Sequence, residues 1–321
     1  MLLSIIVPLY NEEDNIQLLY DELKEVLTSL EDEHEIIFVD DGSNDRSLEI
    51  LQAVQKNDDG VIVISFRRNF GQTAAMSAGF DHASGDVIIT MDGDLQNDPH
   101  DIPAMVEKMN DGYDVVTGWR YDRKDPFLSR KLPSMMANKL ISWITGVGLH
   151  DYGCTLKAFR REVTENIHLY GEMHRFIPAI ASGMGISFTE VKVNHRARRF
   201  GTSKYGISRT IRVLLDLMTV KFLLSYATRP LHVFGTVGVM STGIGFVMAF
   251  IMTLQRFFAG TGLSDRPLLL LAVLLIFMGV QFITMGLLAE LVVRTYHESQ
   301  KKPIYYVRRI IGNNSKNIEQ A

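Results

Sequence analysis

Short runs rich in Val and Ile alternate with amphipathic segments over the N-terminal part of the chain. The apolar runs predict five β-strands, at Leu3–Pro8, Ile36–Asp40, Val61–Ser65, Val87–Met91 and Val115–Thr117. Apolar residues at helical spacing predict helices between them, at Asn15–Leu30, Ser47–Lys56, Thr73–His82 and Ile102–Asn110. Strands that alternate with helices of this length favour an α/β fold with a mostly parallel sheet covered on both faces.

The pattern changes in the last third of the chain, where two long apolar runs occur. Neither Leu231–Gln255 nor Pro267–Ala289 contains Asp, Glu, Lys or Arg. A helix needs ~20 apolar residues to cross a bilayer core, and each run is longer than that. Core helices of a soluble protein are the alternative, but such helices seldom lack charge over this length. We therefore predict two transmembrane helices joined by a short connector.

Residues 207–229 precede the first apolar run and combine helical spacing of apolar residues with Arg209, Arg212 and Lys221. This basic amphipathic pattern predicts a helix that lies in the membrane interface. An ordinary surface helix packed on the preceding domain has the same pattern, and the sequence leaves both interpretations open.

Basic residues are concentrated on the outer flanks of the two apolar runs. They are Arg209, Arg212, Lys221 and Arg229 before the first run, and Arg294, Lys301, Lys302, Arg308 and Arg309 after the second. The connector holds only Arg256 and Arg266, with Asp265 opposing them. By the positive-inside rule, we expect a multi-pass membrane protein whose N-terminal domain and polar, basic C-terminal tail both lie in the cytoplasm.

Composition narrows the class of protein further. Hydrophobic residues make up 46% of the chain and charged residues 22%, as in a folded protein. The single cysteine, Cys154, excludes an intramolecular disulfide and fits a reducing compartment. The net charge of −4 gives no reason to expect nucleic acid as a partner.

Polar clusters follow three of the predicted strands. Tyr10-Asn11-Glu12 comes after the first strand, Asp40-Asp41-Gly42-Ser43 after the second, and Asp92-Gly93-Asp94 after the fourth. In an open parallel sheet, ligands bind at the carboxyl ends of the strands, so these clusters are expected to share one site.

Asp92 and Asp94 are the candidates for a metal site. Two carboxylates one residue apart at a strand end can turn toward one cation, and Gln96 adds an amide oxygen within reach. Mg²⁺ and Mn²⁺ prefer such oxygen ligands and commonly complete their shell with substrate phosphates. A lone Asp-x-Asp is more often a turn, so the prediction depends on the position at the sheet rim.

The other polar clusters have two interpretations each. Asp40 and Asp41 could form a turn and helix cap, or could bind a base or ribose hydroxyl. Asn11 and Glu12 could simply start the first helix. The basic run 196–205 could be a solvated face, or a phosphate-binding loop because Gly201 and Ser203 interrupt it.

Several motifs together resemble a known family. They are Val7-Pro8-Leu9-Tyr10-Asn11-Glu12, Val39-Asp40-Asp41-Gly42-Ser43, Met91-Asp92-Gly93-Asp94-Leu95-Gln96 and Arg199-Phe200-Gly201-Thr202-Ser203-Lys204-Tyr205. The chain resembles the family-2 inverting glycosyltransferases of GT-A fold, in which a Rossmann-like, mostly parallel sheet forms the catalytic domain. Within them it is similar to the polyprenyl-phosphate glycosyltransferases, the branch of bacterial bactoprenol glucosyltransferases and dolichol-phosphate mannose synthase. Asn69-Phe70-Gly71-Gln72, Asp151-Tyr152-Gly153-Cys154 and Arg175-Phe176-Ile177-Pro178 point to the bacterial members.

The resemblance implies a role for each candidate residue. The candidates for binding the nucleotide sugar are Pro8, Tyr10, Asn11, Glu12, Asp40, Asp41 and Asp92. The resemblance implies a Mg²⁺ or Mn²⁺ site at Asp92, Asp94 and Gln96, and catalytic roles for Asp94, Asp151, Arg120 and Arg130. Phosphates of the donor or the lipid acceptor would meet Arg130, Arg198 and Lys204.

The implied reaction is the transfer of one sugar to undecaprenyl or another polyprenyl phosphate at the cytoplasmic face of a bacterial plasma membrane. UDP-glucose is the expected donor, and glucose is the expected sugar. A UDP-4-amino-4-deoxy-arabinose derivative, UDP-N-acetylhexosamine and GDP-mannose are alternatives, as is a non-catalytic nucleotide-binding scaffold. The Gln-x-x-Arg-Trp motif of processive synthases is absent from the sequence, which favours single transfer.

The predicted domain organisation follows from these segments. A catalytic domain occupies residues 1–206, amphipathic juxtamembrane helices 207–229, the membrane helices 230–294 and the basic tail 295–321. Membrane lipids are expected partners, and Gly235, Gly238, Gly243 and Gly245 would permit a homo-oligomer. For Asp151 we favour a positioning role over general-base catalysis, because an acceptor phosphate with a second pKa of ~6 is already largely dianionic.

Overall fold

The structure is a computed structural model that describes residues 1–121, 135, 138–139, 141–142, 145–167, 169, 173–197, 230–259, 267–299 and 304–312. The chain forms two compact units. The first combines Met1–Val220 with Pro303–Ala321, and the second is Lys221–Lys302.

An eight-stranded sheet forms the centre of the first unit, with the strand order β7-β5-β6-β4-β1-β2-β3-β8. The strands are β1 Leu2–Leu9, β2 Glu33–Asp40, β3 Val61–Phe66, β4 Val87–Thr90, β5 Val115–Trp119, β6 Lys157–Arg160, β7 Phe188–Lys192 and β8 Val307–Ile311. Strands β6 and β8 run antiparallel to their neighbours, and the other strand pairs are parallel. The carboxyl ends of six strands therefore lie along one edge of the sheet.

Helices between the strands bury the sheet. They are α1 Ile16–Ser29, α2 Ser47–Asn57, α3 Gln72–His82, α4 Ile102–Asn110, α5 Arg161–Glu165 and α6 Ile177–Ser182. Helix α1 buries Ile16, Leu19, Leu23, Val26 and Leu27, whose spacing of three and four residues forms one apolar stripe. The sheet needs continuous runs of Val and Ile because its central strands are buried on both faces. All six residues of β3 are buried.

Helix α3 lies unusually close to the sheet at Gly79. A Cβ atom on this glycine would be 2.3 Å from Cγ2 of Ile6 in β1, so only glycine permits this approach. The position of α3 matters for the site, because its first residues lie beside the carboxyl end of β4.

The predicted strands and helices of the N-terminal part are present, with small differences at their ends. The largest is in β2, which begins at Glu33 rather than Ile36. Strands β6, β7 and β8 were not predicted. The segment after Arg294 was predicted only as a polar, basic tail, but the structure shows that it contains strand β8. It pairs with β3 at Val63↔Ile311 and Ile64↔Ile310.

The second unit is a pair of long helices, α7 Pro230–Ala259 and α8 Pro267–Ser299. Both are long and apolar enough to cross a membrane, over Phe234–Phe258 and Pro267–Leu288. Only 17% and 11% of their most apolar windows are buried, which is unlike the core helix of a soluble protein. The amphipathic helix predicted at 207–229 lies outside the described residues.

Small residues let α7 and α8 pack closely. A Cβ atom on Gly238 would be 2.6 Å from the carbonyl oxygen of Gly279, and one on Gly245 would be 2.7 Å from that of Ala272. These glycines therefore serve the contact within the helix pair, whereas Gly243 faces open space. An oligomer stays a prediction.

Candidate active site

Asp92-Gly93-Asp94 follows β4 at the carboxyl edge of the sheet, where local contacts fix its backbone. A Cβ atom on Gly93 would be 2.1 Å from Cδ2 of Leu9, so the chain passes close to the end of β1 here and any side chain at this position would displace that of Leu9. Leu95 has a φ of 60°, a conformation that is strained for a residue with a side chain. This turn lets Oδ1 of Asp94 accept a hydrogen bond from the backbone N–H of Gln96 at 3.2 Å.

Side chains from outside the motif orient Asp92. Gln72, the first residue of α3, donates its side-chain N–H to Oδ1 of Asp92 at 2.6 Å. The side-chain oxygen of Asn97 accepts hydrogen bonds from the Asp92 backbone N–H at 3.1 Å and from the Thr155 hydroxyl at 3.0 Å. The Asp92 carboxylate therefore has a defined direction, and the loop that carries it is tied to residues on two other segments.

The electrostatics of this pair favour a bound cation. Burial and the neighbouring charge of Asp94 raise the pKa of Asp92 to about 6, although Thr155, Arg120 and Lys157 act in the opposite direction. Asp94 is buried and Asp92 is half-buried. Two neighbouring carboxylates with limited access to water repel each other, and a divalent ion would relieve that repulsion.

The metal would need ligands from the substrate as well. The described part of the chain contains no group of three or more His, Cys, Asp or Glu side chains that could hold a metal ion. Two carboxylates plus the phosphates of a nucleotide suit Mg²⁺ or Mn²⁺, which commonly bind in this way. The residues present therefore fit a metal that arrives with its substrate. Gln96 lies beside the pair, and its side-chain N–H points to the carbonyl oxygen of Arg196 at 3.5 Å.

Two loops at the ends of β1 and β2 are joined by hydrogen bonds. The backbone N–H of Asn11 donates to the Ser43 hydroxyl at 2.9 Å, and the Asn11 side-chain oxygen accepts from the backbone of Asn44 at 2.8 Å. Glu12 accepts from the Asn15 side chain at 2.6 Å, and its backbone N–H donates to the Ser47 hydroxyl at 3.0 Å. Asn11 and Glu12 thus brace the rim beside Pro8 and Tyr10. Their contact with a nucleotide stays a prediction.

Asp40 and Asp41 have both carboxylate oxygens in hydrogen bonds within the protein. Asp40 accepts from the Ser43 backbone at 2.9 Å and the Ser65 hydroxyl at 3.0 Å. Asp41 accepts from the backbone N–H groups of Phe70 at 2.6 Å and Gly71 at 2.9 Å. Burial raises the pKa of Asp41 to about 6 despite these two bonds. The geometry supports the interpretation of this motif as a structural turn, and direct binding of base or ribose stays a prediction.

Arg120, which is half-buried, and the buried Asp151 form a bidentate ion pair. Nε of Arg120 donates to Oδ2 of Asp151 at 2.7 Å, and Nη2 donates to Oδ1 at 2.9 Å. Burial lowers the pKa of Arg120, but the hydrogen bonds and charge of Asp151 raise it by more. A Cβ atom on Gly153 would be 3.1 Å from Nη2 of Arg120, so the loop passes close to the guanidinium. The structure therefore couples the two predicted catalytic residues to each other.

Lys157 is a buried cation that the sequence analysis did not single out. Its ammonium group donates to the carbonyl oxygens of Cys154 and Tyr152. Burial lowers the pKa of Lys157 to about 8, against the raising effect of neighbouring groups that include Asp151 and Asp92. Its position in a short strand gave no sequence signal for a role in the site.

Arg196, the first arginine of the basic run 196–205, forms ion pairs with two acidic residues of the catalytic unit. Nη1 of Arg196 lies 2.6 Å from Glu22, and Nη2 lies 2.6 Å from Asp98. Its backbone N–H donates to the carbonyl oxygen of Gln96 at 3.0 Å. These contacts bring the start of the run beside the Asp92-Gly93-Asp94 loop. Arg130, Arg198 and Lys204 lie outside the described residues, so their roles in binding phosphate stay predictions.

The carboxylate pair lies at a strand end of a mostly parallel α/β sheet, where ligands of such sheets bind, and Arg120 and Lys157 lie near it. The chain belongs to glycosyl transferase family 2, whose family model matches residues 4–167. The predicted GT-A fold and the predicted enzyme class, a glycosyltransferase, are thereby confirmed.

Two curated relatives match nearly the whole chain. Dodecaprenyl-phosphate galacturonate synthase of Rhizobium johnstonii is 44% identical over 317 residues, which are 98% of this chain and 94% of that protein. Undecaprenyl-phosphate 4-deoxy-4-formamido-L-arabinose transferase of Photorhabdus laumondii is 39% identical over 319 residues, 99% of this chain and 96% of that protein.

Among solved structures, glucosyl-3-phosphoglycerate synthase from Mycobacterium tuberculosis, in complex with Mn²⁺, UDP and glucosyl-3-phosphoglycerate, is similar in fold. It has a TM-score of 0.54 and 18% sequence identity, and the match covers 69% of this chain and 79% of that one. At this identity the likeness establishes the fold alone.

Proposed function

We propose that the protein transfers a single sugar from a UDP-linked donor to the phosphate of a polyprenyl phosphate, and that the donor sugar is a hexuronate such as galacturonate. The observation that carries this proposal is the Asp92–Asp94 pair with two cations beside it, the half-buried Arg120 and the buried Lys157. The carboxylates suit a metal-bound diphosphate. The cations suit the further anions of the reaction, which are the acceptor phosphate and a carboxylate on the sugar.

The proposed sugar differs from the one expected from the sequence. The two relatives described above carry galacturonate or 4-deoxy-4-formamido-L-arabinose in their names, and neither name includes glucose. We therefore place a uronate first and the formamido-arabinose second, and UDP-glucose becomes the comparison substrate.

A divalent metal, Mg²⁺ or Mn²⁺, would be held by Asp92 and Asp94. When bound, it offsets the negative charge that develops on the departing diphosphate. Gln72 and Asn97 keep the Asp92 carboxylate and its backbone in place.

The acceptor needs little activation by a base. A phosphate monoester has a second pKa of ~6, so an oxygen of the dianion can attack the anomeric carbon directly. The bond from that carbon to the diphosphate breaks as the new bond forms, and the configuration inverts. Arg120, held by Asp151, offsets the repulsion between the two anions. In this scheme Asp151 positions the guanidinium and takes no proton.

The two apolar helices anchor the enzyme where its lipid acceptor resides, which we take to be a bacterial plasma membrane. Strand β8 follows α8 in the chain yet belongs to the same sheet as β1 to β5. From this shared sheet we infer that the chain lies on one side of the membrane both before α7 and after α8. This agrees with the basic flanks, from which we expect that side to be the cytoplasm.

The test uses the purified full-length protein with polyprenyl phosphate and Mn²⁺ or Mg²⁺. UDP-galacturonate, UDP-4-deoxy-4-formamido-L-arabinose and UDP-glucose are supplied in separate reactions, and the lipid product is measured by mass spectrometry. We expect the uronate to react at least about tenfold faster than glucose, because its carboxylate would add a favourable electrostatic interaction with Arg120 and Lys157 that glucose cannot make. A preference for UDP-glucose would reinstate the donor expected from the sequence.

Asp94→Asn in the same assay should lower the rate by at least about a hundredfold, the order lost when a charge-stabilising group is removed. The exposed Asp14, on the same polar rim but distant from the pair in sequence, provides the control Asp14→Asn, which should retain full activity. Near-normal turnover of Asp94→Asn with either metal would contradict a metal site at this pair.

A further inference from the structure

The segment after the second apolar helix packs against helix α3 near both of its ends. The Tyr305 hydroxyl donates to Oδ2 of Asp81, in the last turn of α3, at 2.7 Å. The Tyr305 ring stacks on Phe66 at 5.1 Å between centroids, and Tyr306 lies 6.0 Å from the ring of Phe70, just before α3. These two tyrosines thus bracket α3.

The backbone continues this contact into the loop 67–71 that leads from β3 to α3. The N–H of Arg67 donates to the carbonyl oxygen of Tyr306 at 3.1 Å. The register between β3 and β8 shifts at Ser65 and Phe66, which is where the loop begins. The tail therefore contacts the chain at the point where it leaves β3.

The other side of the same loop and helix faces the site. Asp41 accepts hydrogen bonds from the backbone of Phe70 and Gly71. Gln72 donates to Asp92, and the Thr73 hydroxyl lies 2.8 Å from Nδ1 of the buried His174. One short segment therefore touches the tail on one side and a proposed metal carboxylate on the other.

We propose that Tyr305 and Tyr306 are positioning residues for the metal and nucleotide site, and that they act through loop 67–71 and Gln72 on Asp92. Gln72 can direct one oxygen of Asp92 only while the first turn of α3 keeps its place. The tail contacts restrain that turn at Phe70 and restrain the opposite end of the helix at Asp81. Releasing them leaves the Asp92 carboxylate free to rotate, which weakens a site that has only two carboxylates to offer.

Chemistry at the tail supports a specific contact rather than general packing. Asp81 is exposed, yet the buried Tyr305 hydroxyl reaches it. Burial and the charge of Asp81 raise the pKa of Tyr305, so the hydroxyl keeps its proton and remains a donor. The proposal concerns the metal and nucleotide side of the site, and it holds whichever sugar is transferred.

The test measures binding of Mn²⁺ to the full-length protein in the presence of UDP, by calorimetry, together with the melting temperature. Tyr305→Phe removes only the hydroxyl, and Tyr306→Ala removes the ring beside Phe70. We expect the double variant to bind Mn²⁺ about five- to tenfold more weakly at a temperature where it is folded, with an unchanged KM for polyprenyl phosphate. Tyr306→Phe retains the ring and should match the wild type.

Gln72→Ala supplies the decisive comparison. It should weaken Mn²⁺ binding to a similar extent. Adding the tyrosine substitutions to Gln72→Ala should cause little further loss of affinity, because the tyrosines are proposed to act on Asp92 through Gln72. Additive losses would overturn the route through Gln72. A lower melting temperature with unchanged Mn²⁺ affinity would show that the tail is structural only.

Tyr305→Phe alone keeps the test valid if the double variant does not fold. Amide hydrogen exchange in residues 67–72 should increase in this single variant, and unchanged exchange there would contradict the proposal. Because wild-type binding of Mn²⁺ and UDP serves as the reference, a wrong assignment of the donor sugar would not affect the outcome.

Discussion

Asp151 illustrates how far one side chain can be assigned from its contacts. Both of its oxygens accept hydrogen bonds from the Arg120 guanidinium, and its backbone N–H lies 3.3 Å from the Glu190 carboxylate. A carboxylate held in this way is well placed to orient a cation and poorly placed to take a proton from a substrate. The contacts therefore support the positioning role preferred from the sequence.

The pH dependence of turnover separates the two roles. Asp151→Asn should lower kcat by about ten- to a hundredfold, because the guanidinium loses its charged bidentate partner. The acid limb of the kcat profile should stay near pH ~6, where the acceptor phosphate titrates. Arg120→Lys keeps the positive charge but not the bidentate geometry of the guanidinium. It should lower kcat to a similar extent and leave the acid limb of the pH profile at the same pH. If the acid limb vanishes in Asp151→Asn, the carboxylate is the base.

The site is only partly predictable at this scale. Asp92 and Asp94 occur in a short motif that follows an apolar strand, whereas the roles of Arg120 and Asp151 were predicted from the family resemblance. Gln72 occurs in one of the motifs that carry the resemblance, but its contact with Asp92 could not be predicted, because Asp92 is twenty residues away and the two side chains meet only in the folded protein. The presence of Lys157 near the site was not predictable either, because a lysine in a strand is ordinarily exposed and this one is buried.

Among the elements, the contact between α3 and β1 has little room for change. Gly79→Ala would place a methyl group 2.3 Å from Cγ2 of Ile6, and the helix or the strand must then shift. We expect a loss of about 1–3 kcal/mol in the free energy of unfolding, as is usual for overpacking, and a lower melting temperature.

Two further variants make this prediction specific. The loss in the free energy of unfolding caused by Gly79→Ala should be smaller in an Ile6→Ala background than in the wild type, because Ile6→Ala removes the clashing atoms. Gly148→Ala, at a glycine whose added Cβ atom would meet nothing within 4 Å, should leave the melting temperature unchanged. Equal effects of the two Gly→Ala substitutions would show that helix α3 does not approach β1 as closely as described.

The elements themselves were predictable where local sequence decides them. Strands β1 to β5 consist of apolar runs because the central sheet is buried on both faces. The short strands β6, β7 and β8 carry charged residues, as Val307–Ile311 does with two adjacent arginines. Such strands form because a neighbour offers unpaired N–H and C=O groups, and that information lies elsewhere in the chain.

At the scale of the whole molecule, the shared sheet predicts which parts of the chain are exposed on each side of the membrane. Ser264→Cys lies in the connector between the apolar helices, and Ser315→Cys lies beyond β8. A membrane-impermeant maleimide added to intact spheroplasts should label position 264 and not position 315. Permeabilised spheroplasts should show label at both positions.

The native cysteine should not interfere with this measurement. Cys154 is buried, and burial raises the pKa of its thiol to about 11, so little reactive thiolate is present. The parent protein provides the background signal. Labelling of position 315 in intact spheroplasts, with position 264 protected, would place the catalytic unit on the opposite side.

Strand β8 also bears on the order in which the protein is made. A ribosome reaches Val307–Ile311 only after it has synthesised both apolar helices, so the edge of β3 stays unpaired while those helices enter the bilayer. The nascent chain can fold most of its sheet early, but it acquires its last strand after insertion. If Tyr305 and Tyr306 hold the site as inferred, the enzyme gains full affinity for its sugar nucleotide only once it is embedded beside its lipid acceptor.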